Sequence, residues 1–329
     1  MLEQLNALAN LAKQHWPMII GQPELVMHRE NTVYRVNTTN GAAALRLHRE
    51  GYHSQAALQS ELDWMAMLAR GGMQVPEPLP TMDGQYLVRL TSSQGISRNL
   101  DMLSWMAGTP LGKSYAKLDH SSSRLQHIFQ QLGAALAQMH NLSDAWQRPV
   151  AFERPSWDRE GIVGAKPFWG EFWSISDINK DDTHVLENIR ECIDSELAIA
   201  ERGGADYGLI HADLARENIL IDAEQVRIID FNDSGFGFRM FDIATALIKN
   251  RNEPDYLELV NLLFDGYETL RPLAKFTRDT LPLFMVARSL TYLGWAEARR
   301  HEPGMGVRRS NMIAEALKLS REFLAARVG

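Results

Sequence analysis

The feature that most constrains this chain is a set of polar residues placed between apolar runs at residues 211–231. Asp213 and Asn218 come first, and Asp230 follows after a largely apolar stretch. The apolar residues at 219–221 and 226–229 flank a polar turn at 222–225, a pattern that predicts two strands of a tight hairpin. Such a hairpin would bring Asn218 and Asp230 to neighbouring strand ends, where both could reach one cation.

The spacing of these residues is H-x-D-L-x-x-x-N followed by D-F-x, the pattern of a phosphoryl-transfer loop. In that chemistry Asp213 would orient an attacking hydroxyl and accept its proton. Asn218 and Asp230 would hold magnesium on the nucleotide, because Mg²⁺ prefers oxygen ligands. His211 would stabilise the loop and need not touch the substrate. The competing interpretation is a capped turn with solvated polar residues, and the two apolar runs count against it.

Composition and charge narrow the class of protein. A chain of 329 residues is long enough for two lobes with their own cores. Its net charge of −7 argues against a general nucleic-acid binder, which needs basic patches. Cys192 is the only cysteine, which excludes an intrachain disulfide and a Cys-based zinc site and favours a cytoplasmic location.

The N-terminus predicts an amphipathic helix with Leu5, Leu8 and Leu11 inward, because it lacks the basic and apolar regions of a signal peptide. No apolar run is long enough to span a membrane. We therefore expect no membrane partner. The sequence leaves the oligomeric state open.

The order of predicted elements indicates an α+β fold with a small mixed antiparallel-sheet N-lobe and a larger, mainly helical C-lobe. The N-lobe would span residues 1–106 and the C-lobe residues 107–329. Predicted strands lie at 32–36, 43–47, 85–91 and 101–106, and predicted helices at 54–70, 121–141, 181–202, 240–249, 254–270, 276–300 and 309–327.

Several further segments carry a family resemblance: Glu30–Val36, Ser60–Met65, Met102–Gly108, Leu132–His140, Phe241–Ala244 and Ala287–Trp295. Together with the 211–231 motif, they make the chain similar to the aminoglycoside phosphotransferase/choline kinase family. Within that family it most resembles the branch of homoserine kinase type II-like and stress-response kinase A-like proteins. The resemblance implies a bilobal, protein-kinase-like fold and an enzyme that uses ATP and magnesium.

The resemblance also implies roles for individual residues. The segment from Glu30 would be a hairpin that covers the nucleotide, and Glu61 would pair with a cation on a strand. Ser104 and Met106 would meet adenine through their backbones. Asp242 would buttress the catalytic loop.

One position departs from the family pattern. Arg46 stands on the strand where many relatives have lysine. Arginine keeps the charge and can fork onto phosphate oxygens, but its geometry differs from that of a point-charge ammonium. Arg46 could instead be an exposed strand arginine, with Arg35 or Arg89 at the phosphates. A pairing of Arg46 with Glu61 depends on the first interpretation.

The acceptor is constrained only loosely. No G-x-G-x-x-G cover and no Ala-Pro-Glu segment is present where a protein kinase would have them, which favours a small-molecule acceptor. Residues 152–173 mix aromatic residues with Asp158, Glu160 and Glu171. This stretch is either a lid for an amine-bearing alcohol or a connection pinned by its aromatics. Asp233 could likewise meet substrate or cap Gly235.

These observations predict an ATP- and Mg²⁺-dependent kinase acting on a small-molecule hydroxyl, with amine-bearing alcohols such as homoserine or choline among the candidates. Two alternatives stay open at this point. One is a Ser/Thr protein kinase of the stress-response type, and the other is a nucleotide-binding regulator that has lost catalysis.

Overall fold

A computed structural model describes residues 2–29, 31–273 and 275–327. The helices are α1 (Leu2–Leu11), α2 (Gln55–Arg70), α3 (Ser122–Ala145), α4 (Arg159–Val163), α5 (Lys180–Arg202), α6 (Arg239–Ile248), α7 (Tyr256–Glu268), α8 (Lys275–Asp279), α9 (Leu281–Ala298) and α10 (Met305–Ala325). The strands are β1 (Ile19–His28), β2 (Thr32–Thr38), β3 (Gly41–Leu47), β4 (Leu87–Thr91), β5 (Ser97–Ser104), β6 (Thr109–Pro110), β7 (Ser156–Trp157), β8 (Tyr207–Ile210), β9 (Ile219–Asp222), β10 (Gln225–Ile228) and β11 (Gly235–Phe238).

The N-terminal part is an antiparallel sheet with strand order β1-β2-β3-β5-β4. Tyr34 and Leu45 point to the same buried face, where they pack with Leu5 and Leu8 of α1. The predicted amphipathic helix is therefore confirmed, although Leu11 is only partly buried. The predicted strands at 32–36 and 43–47 are confirmed as β2 and β3, whose register runs from Thr32–Leu47 to Thr38–Gly41.

One predicted strand has different bounds in the structure, and one strand was not predicted. The strand expected at 101–106 is β5, which starts earlier at Ser97 and ends at Ser104, because the polar residues 97–99 pair with β4. β1 was not predicted. Only Ile19 of this strand is buried, and its pairing with β2 is interrupted by register shifts, so it carries no alternating pattern to recognise.

Helix α2 follows the sheet's first three strands, as predicted for residues 54–70. The Ser54 side chain caps it by accepting a hydrogen bond from the Ala57 N–H (3.0 Å). Its buried residues Leu58, Leu62 and Leu68 belong to the large hydrophobic cluster that continues through the C-terminal helices, not to the cluster under α1.

The C-terminal part is mainly helical, which confirms the predicted α+β class. The helix predicted at 276–300 is wrong in one respect, because α8 and α9 are separate and break at Thr280. Pro282 lies in the first turn of α9, where its missing N–H costs nothing, whereas a continuous helix would clash with its ring. Within the part of the chain that the structure describes, no helix is long and apolar enough to cross a membrane. The division at residues 106 and 107 stays a prediction.

Helices α3 and α7 cross with their backbones in close approach. A Cβ atom at Gly133 would lie 1.9 Å from the Leu263 carbonyl oxygen, and one at Gly266 would lie 1.9 Å from the Gln130 carbonyl oxygen. Neither backbone can move aside as a flexible side chain would. The two glycines therefore set how closely these helices pack.

We expect Gly133→Ala to lower the free energy of unfolding by about 2–3 kcal/mol, because the added methyl group forces α3 and α7 apart. Urea unfolding followed by circular dichroism measures this change. Gly306→Ala is the matched control, since a Cβ at that helical position meets nothing within 4 Å. It should leave stability unchanged or raise it slightly. Equal stability of the Gly133 variant and the parent would contradict the close crossing.

Candidate active site

The loop that carries Asp213 is held by Asp242 of helix α6. The Asp242 carboxylate accepts hydrogen bonds from the backbone N–H groups of His211 (2.8 Å) and Ala212 (2.6 Å). Ala212 has a φ of 64°, a left-handed conformation that costs free energy for a residue with a side chain. The buttress expected of Asp242 is thus confirmed, and it holds the loop in a shape that the loop would not adopt alone.

His211 ties the same loop to the end of β10. Its Nδ1 accepts a hydrogen bond from the Asp213 N–H (3.2 Å), and its Nε2 lies 3.0 Å from the Ile229 carbonyl oxygen, to which it donates. Burial lowers the pKa of His211 to about 4, so the ring is neutral near pH 7. This agrees with the structural role expected for His211.

Asn218 is joined directly to Asp213. Its Nδ2 donates to the Asp213 carbonyl oxygen (2.8 Å) and to Asp213 Oδ2 (3.0 Å). Both bonds use the amide nitrogen, so neither of them engages Asn218 Oδ1. The side chain is nearly buried, which fixes the direction of that oxygen.

Asp230 comes to the same place through the hairpin β9–β10. Its strands pair from Asp222–Gln225 to Ile219–Ile228, and the Ile229 N–H donates to the Asn218 carbonyl oxygen (3.0 Å). Asn218 and Asp230 therefore flank the base of the hairpin, as predicted. Burial and the negative charge of Asp233 raise the pKa of Asp230 to about 6, so a bound cation would stabilise its ionised form.

Arg288 of α9 is a site residue that the sequence did not assign. Its Nη2 lies 2.7 Å from Asp213 Oδ1, and its side chain is fully buried. Burial raises the pKa of Asp213 to about 7, the Arg288 charge opposes the rise, and the charges of Asp233 and Asp230 add to it. The available signal was an arginine in the middle of an otherwise apolar helix.

Arg46 is buried and not an exposed strand arginine. Its Nε and Nη2 form a two-pronged pair with the Asp101 carboxylate, at 2.8 Å each, and its Nη1 lies 2.8 Å from Glu61 Oε1. The pairing with Glu61 is therefore present, and Asp101 is an additional partner that the sequence did not indicate. His48 also contacts Asp101, at 2.6 Å. Although burial opposes it, the Arg46 charge holds the pKa of Asp101 well below its usual range.

The other cations proposed for the phosphates are engaged elsewhere. Arg35 is exposed and lies over the Trp105 ring, 5.4 Å from its centroid. Arg89 pairs with Glu50 at 2.8 Å on the surface. Arg46 has two N–H groups left after its three hydrogen bonds, so contact with phosphate stays a prediction for Arg46 alone.

Arg154 connects α2 with the loop after Asp230, and no sequence pattern marks it as a site residue. Its guanidinium donates to the backbone carbonyl oxygens of Ala57 (3.0 Å), Asn232 (2.6 Å) and Ser234 (2.7 Å). It also lies 3.5 Å from Glu61 Oε2. The Glu61 carboxylate thus stands between two arginines, which lower its pKa although burial opposes them.

In the segment expected to meet adenine, the backbone N–H of Ser104 already makes a hydrogen bond within the protein. The Ser104 N–H donates to the Glu77 carbonyl oxygen (2.8 Å), so only the Ser104 carbonyl oxygen is available. In an antiparallel sheet, hydrogen-bonded residue pairs alternate with non-hydrogen-bonded pairs. The Trp105–Ala42 pair is hydrogen-bonded, so the neighbouring Ser104–Ala43 pair is not, and the Ser104 carbonyl oxygen does not bond β3. Adenine binding by Ser104 and Met106 stays a prediction.

The predicted nucleotide-covering hairpin is formed by β1 and β2. Glu30 lies outside the described residues. Next to it, Asn31 Nδ2 donates to Asn232 Oδ1 (3.3 Å), which places the hairpin against the loop that follows Asp230. The hairpin and the loop that follows Asp230 therefore meet at this contact.

The stretch at residues 152–173 has features of a pinned connection and of a lid. Trp157 and Phe172 are fully buried and pin the connection. The carboxylates do not line a pocket: Asp158 caps α4 through the Gly161 N–H (2.8 Å), and Glu160 accepts from the Ala165 N–H (2.9 Å). These two carboxylates satisfy local backbone groups, which favours the connection over the lid for them.

The carboxylate that the aromatics do contact is Asp233. Its Oδ1 accepts hydrogen bonds from the Tyr52 hydroxyl (2.6 Å) and Trp169 Nε1 (3.4 Å), and its backbone carbonyl oxygen accepts from Trp157 Nε1 (2.8 Å). No bond from its carboxylate to Gly235 is present among the described residues.

A family model for the phosphotransferase enzyme family, APH, matches residues 23–276. The chain belongs to this family. It is therefore a phosphotransferase enzyme, and the family supports a small-molecule hydroxyl as the acceptor.

Individual relatives agree with this membership. The chain is 26% identical over 227 residues to an amicoumacin kinase of Bacillus subtilis (strain 168), an alignment that covers 69% of this chain and 62% of that protein. Its structure is similar to that of a microcompartment-associated aminopropanol kinase, with a TM-score of 0.82, 28% identity and 97% of both chains covered. It is also similar to the amicoumacin kinase hAmiN in complex with AMP-PNP, Ca²⁺ and Ami, with a TM-score of 0.76, 20% identity and coverage of 96% and 92%. The bilobal, protein-kinase-like fold expected from the resemblance is thus confirmed.

We expect Arg46→Ala to lower the free energy of unfolding by about 3–5 kcal/mol, because it leaves the buried Asp101 and Glu61 carboxylates without their shared cation. Urea unfolding at pH 7 measures the loss. Since the folded-state pKa of Asp101 lies below its unfolded value, the contribution of this pair is present at pH 7 and is lost as the pH falls. Arg35→Ala, on the exposed face of β2, should change stability by less than about 1 kcal/mol. An Arg46 variant as stable as the parent would contradict the buried cluster.

Proposed function

We propose that this phosphotransferase is an ATP- and Mg²⁺-dependent kinase that phosphorylates the hydroxyl of an amine-bearing alcohol. The observation that carries the proposal is the linked set of Asp213, Asn218 and Asp230. The Asn218 amide bonds the candidate base through its nitrogen, and its backbone carbonyl oxygen accepts from the Ile229 N–H, next to the candidate metal carboxylate of Asp230. The binding of AMP-PNP and Ca²⁺ by the structural relative hAmiN supports a nucleoside triphosphate and a divalent cation.

The residues present fit a magnesium ion. Asn218 Oδ1 and the Asp230 carboxylate are hard oxygen ligands, and no ion pair to Asp230 is present among the described residues. Magnesium is commonly held by one or two carboxylates together with substrate phosphates. When bound, it would neutralise charge on the phosphates during transfer.

The chain's own residues then supply position. Asp213 would orient the acceptor hydroxyl and accept its proton. Arg288, at 2.7 Å from Oδ1, and Asn218, at 3.0 Å from Oδ2, hold that carboxylate from both sides. Such positioning supplies most of the catalysis in phosphoryl transfer, where the transition state is loose.

The nucleotide would be bound mainly by the N-terminal part. Arg46 would contact phosphate with its two remaining N–H groups, and Glu61 would hold its guanidinium in place. The carbonyl oxygen of Ser104 and the backbone of Met106 would meet adenine.

An aromatic wall beside the base supports a small molecule rather than a protein as acceptor. Phe168 packs against Tyr52, with ring centroids 6.2 Å apart, and Trp169 lies beside Tyr292 at 5.8 Å. A protein acceptor would need a flat, open groove at this place. The carboxylate of Asp233 on the same wall supports an acceptor that carries an amine.

The test is a screen of ATP consumption over amino alcohols, sugars and generic protein substrates at fixed Mg²⁺, corrected for phosphate release without acceptor. Mass spectrometry of the products identifies the phosphorylated compound. We expect a phosphorylated amino alcohol. Phosphorylation of protein substrates alone, or ATP binding without transfer to any hydroxyl compound, would contradict the proposal.

The rate should also depend on pH through Asp213. Burial raises the pKa of Asp213 to about 7, and a general base must be ionised, so kcat/KM should fall as the pH drops below about 7. His211 cannot explain such a limb, because its pKa is lowered to about 4. A pH profile of kcat/KM with saturating Mg²⁺ measures it. A flat profile from about pH 5 to pH 8 would contradict a titrating base.

A further inference from the structure

Asp233 stands next to the candidate base but takes no part in the phosphoryl-transfer motif. Arg288 joins the two places: its Nη2 pairs with Asp213, and its guanidinium lies 4.5 Å from the Trp169 ring centroid. Trp169 in turn donates to Asp233 Oδ1. A compound whose hydroxyl meets Asp213 therefore has Asp233 within its surroundings.

The Asp233 carboxylate is held in place by neutral donors only. Tyr52 and Trp169 both donate to Oδ1, and Trp157 and Arg154 fix the backbone on either side through the carbonyl oxygens of Asp233 and Asn232. Among the described residues, Oδ2 accepts no hydrogen bond, and it is not a sealed buried atom. Because this carboxylate is held in one position and its Oδ2 is unbonded, it can accept a hydrogen bond from a ligand without further rearrangement.

The charges around Asp233 favour a cationic donor. The charges of Asp230 and Asp233 act on Asp213, and Arg288 is already paired with Asp213. Magnesium would offset the charge of Asp230 when bound. In the described chain the charges of Arg288 and Arg154 act on Asp233, but no cation hydrogen-bonds its carboxylate. A positively charged ligand group would compensate it.

We propose that the Asp233 carboxylate binds a primary ammonium group of the acceptor and thereby selects short primary-amino alcohols over quaternary ones. This inference rests on the proposed phosphotransfer to a small-molecule hydroxyl. An ammonium with N–H groups can donate to the free Oδ2, whereas a trimethylammonium group has no N–H to donate. A quaternary ammonium instead needs open aromatic faces.

The aromatic faces nearest the base are already used by the protein. Arg288 lies 4.0 Å from the Tyr292 centroid, 4.5 Å from that of Trp169 and 5.3 Å from that of Phe241. A choline-like head group that stacked on these three rings would compete with a buried arginine that also holds Asp213. The site is therefore built for a hydrogen-bonding ammonium.

The experiment compares ethanolamine, choline and 1-propanol, which share a primary hydroxyl and differ in the group at the other end, together with 1-amino-2-propanol. With the parent protein, ATP and Mg²⁺, we expect kcat/KM for the primary amines to exceed those for choline and 1-propanol by about 10²-fold or more. Equal or better use of choline or 1-propanol would overturn the inference and leave the proposed kinase activity standing. ATP binding without transfer to any alcohol would contradict the proposed function itself.

Asp233→Asn keeps the shape and the Tyr52 hydrogen bond but removes the charge. We expect about a 10²-fold rise in KM for ethanolamine, a smaller change in kcat, and an unchanged Mg²⁺ requirement. Glu191→Gln, an exposed carboxylate on α5, is the control. An unchanged KM would overturn the inference. An altered Mg²⁺ requirement with unchanged discrimination among the alcohols would do so too, because Asp233 would then be a metal ligand. If the variant does not fold, the inference is tested by the discrimination of the parent protein between primary amines and choline or 1-propanol.

Discussion

Asp213→Asn is expected to lower kcat by about 10³- to 10⁴-fold and to leave ATP affinity within a few-fold, because the amide keeps the shape but cannot take a proton. The Asp213 carboxylate lies between Arg288 and Asn218, and both contacts would orient it toward an acceptor hydroxyl. Steady-state kinetics with the best amino alcohol, together with a nucleotide-binding titration, measure the two effects separately.

The control for Asp213→Asn is Asp222→Asn, which changes a carboxylate at the exposed turn of the adjacent hairpin, where it pairs with Arg227. It should keep parental kcat. The Asn substitution at 213 also weakens the pair with Arg288, so thermal unfolding of both variants shows whether the fold is retained. Equal turnover by the Asp213 variant and the parent would refute the catalytic assignment.

Asp230→Ala should abolish activity at ordinary Mg²⁺ concentrations, a loss of about 10³-fold or more, and should damage activity more than Asn218→Ala does. Asp230 supplies formal charge to the metal, whereas Asn218 supplies only a dipole. Without nucleotide the site should be weak, because phosphate oxygens complete the coordination. Magnesium titrations of each variant, with and without ATP, measure these differences.

The two metal variants differ in a second way. Asn218 also donates to Asp213, so Asn218→Ala should lower kcat even at saturating Mg²⁺, whereas high Mg²⁺ should partly rescue a pure ligand loss. Parental Mg²⁺ dependence in Asp230→Ala would show that the D-F-x interpretation of this loop is wrong.

The sequence predicted those parts of the site that lie close together along the chain. Asp213, Asn218 and Asp230 are linked by a hairpin whose apolar and polar pattern is local, so their meeting could be inferred. The pairing of Arg46 with Glu61 could be inferred only from the family resemblance, because the two residues lie on a strand and on a helix that no local pattern connects. The class of fold followed from the order of strands and helices.

The missed residues reach the site from distant segments. Asp101, Arg154 and Arg288 act through contacts with residues far away in sequence, and no periodic pattern marks them. The roles of Asp158 and Glu160 stayed open for the opposite reason. Their partners are backbone groups within a few residues, which composition does not reveal. β1 was missed because it is almost entirely exposed.

The packing of α2 has a consequence for local unfolding of the protein in solution. This helix comes before β4 and β5 in the chain, yet its core residues pack in the large C-terminal cluster, and Arg154 bonds its Ala57 carbonyl oxygen. Regions that share a core exchange their amide hydrogens as one cooperative unit. We therefore expect α2 to show the slow exchange of the C-terminal helices, while β1 and the exposed edge of the sheet exchange faster. The slowly exchanging unit would then include α2 from the first part of the chain, and its limits would not follow the order of residues along the chain.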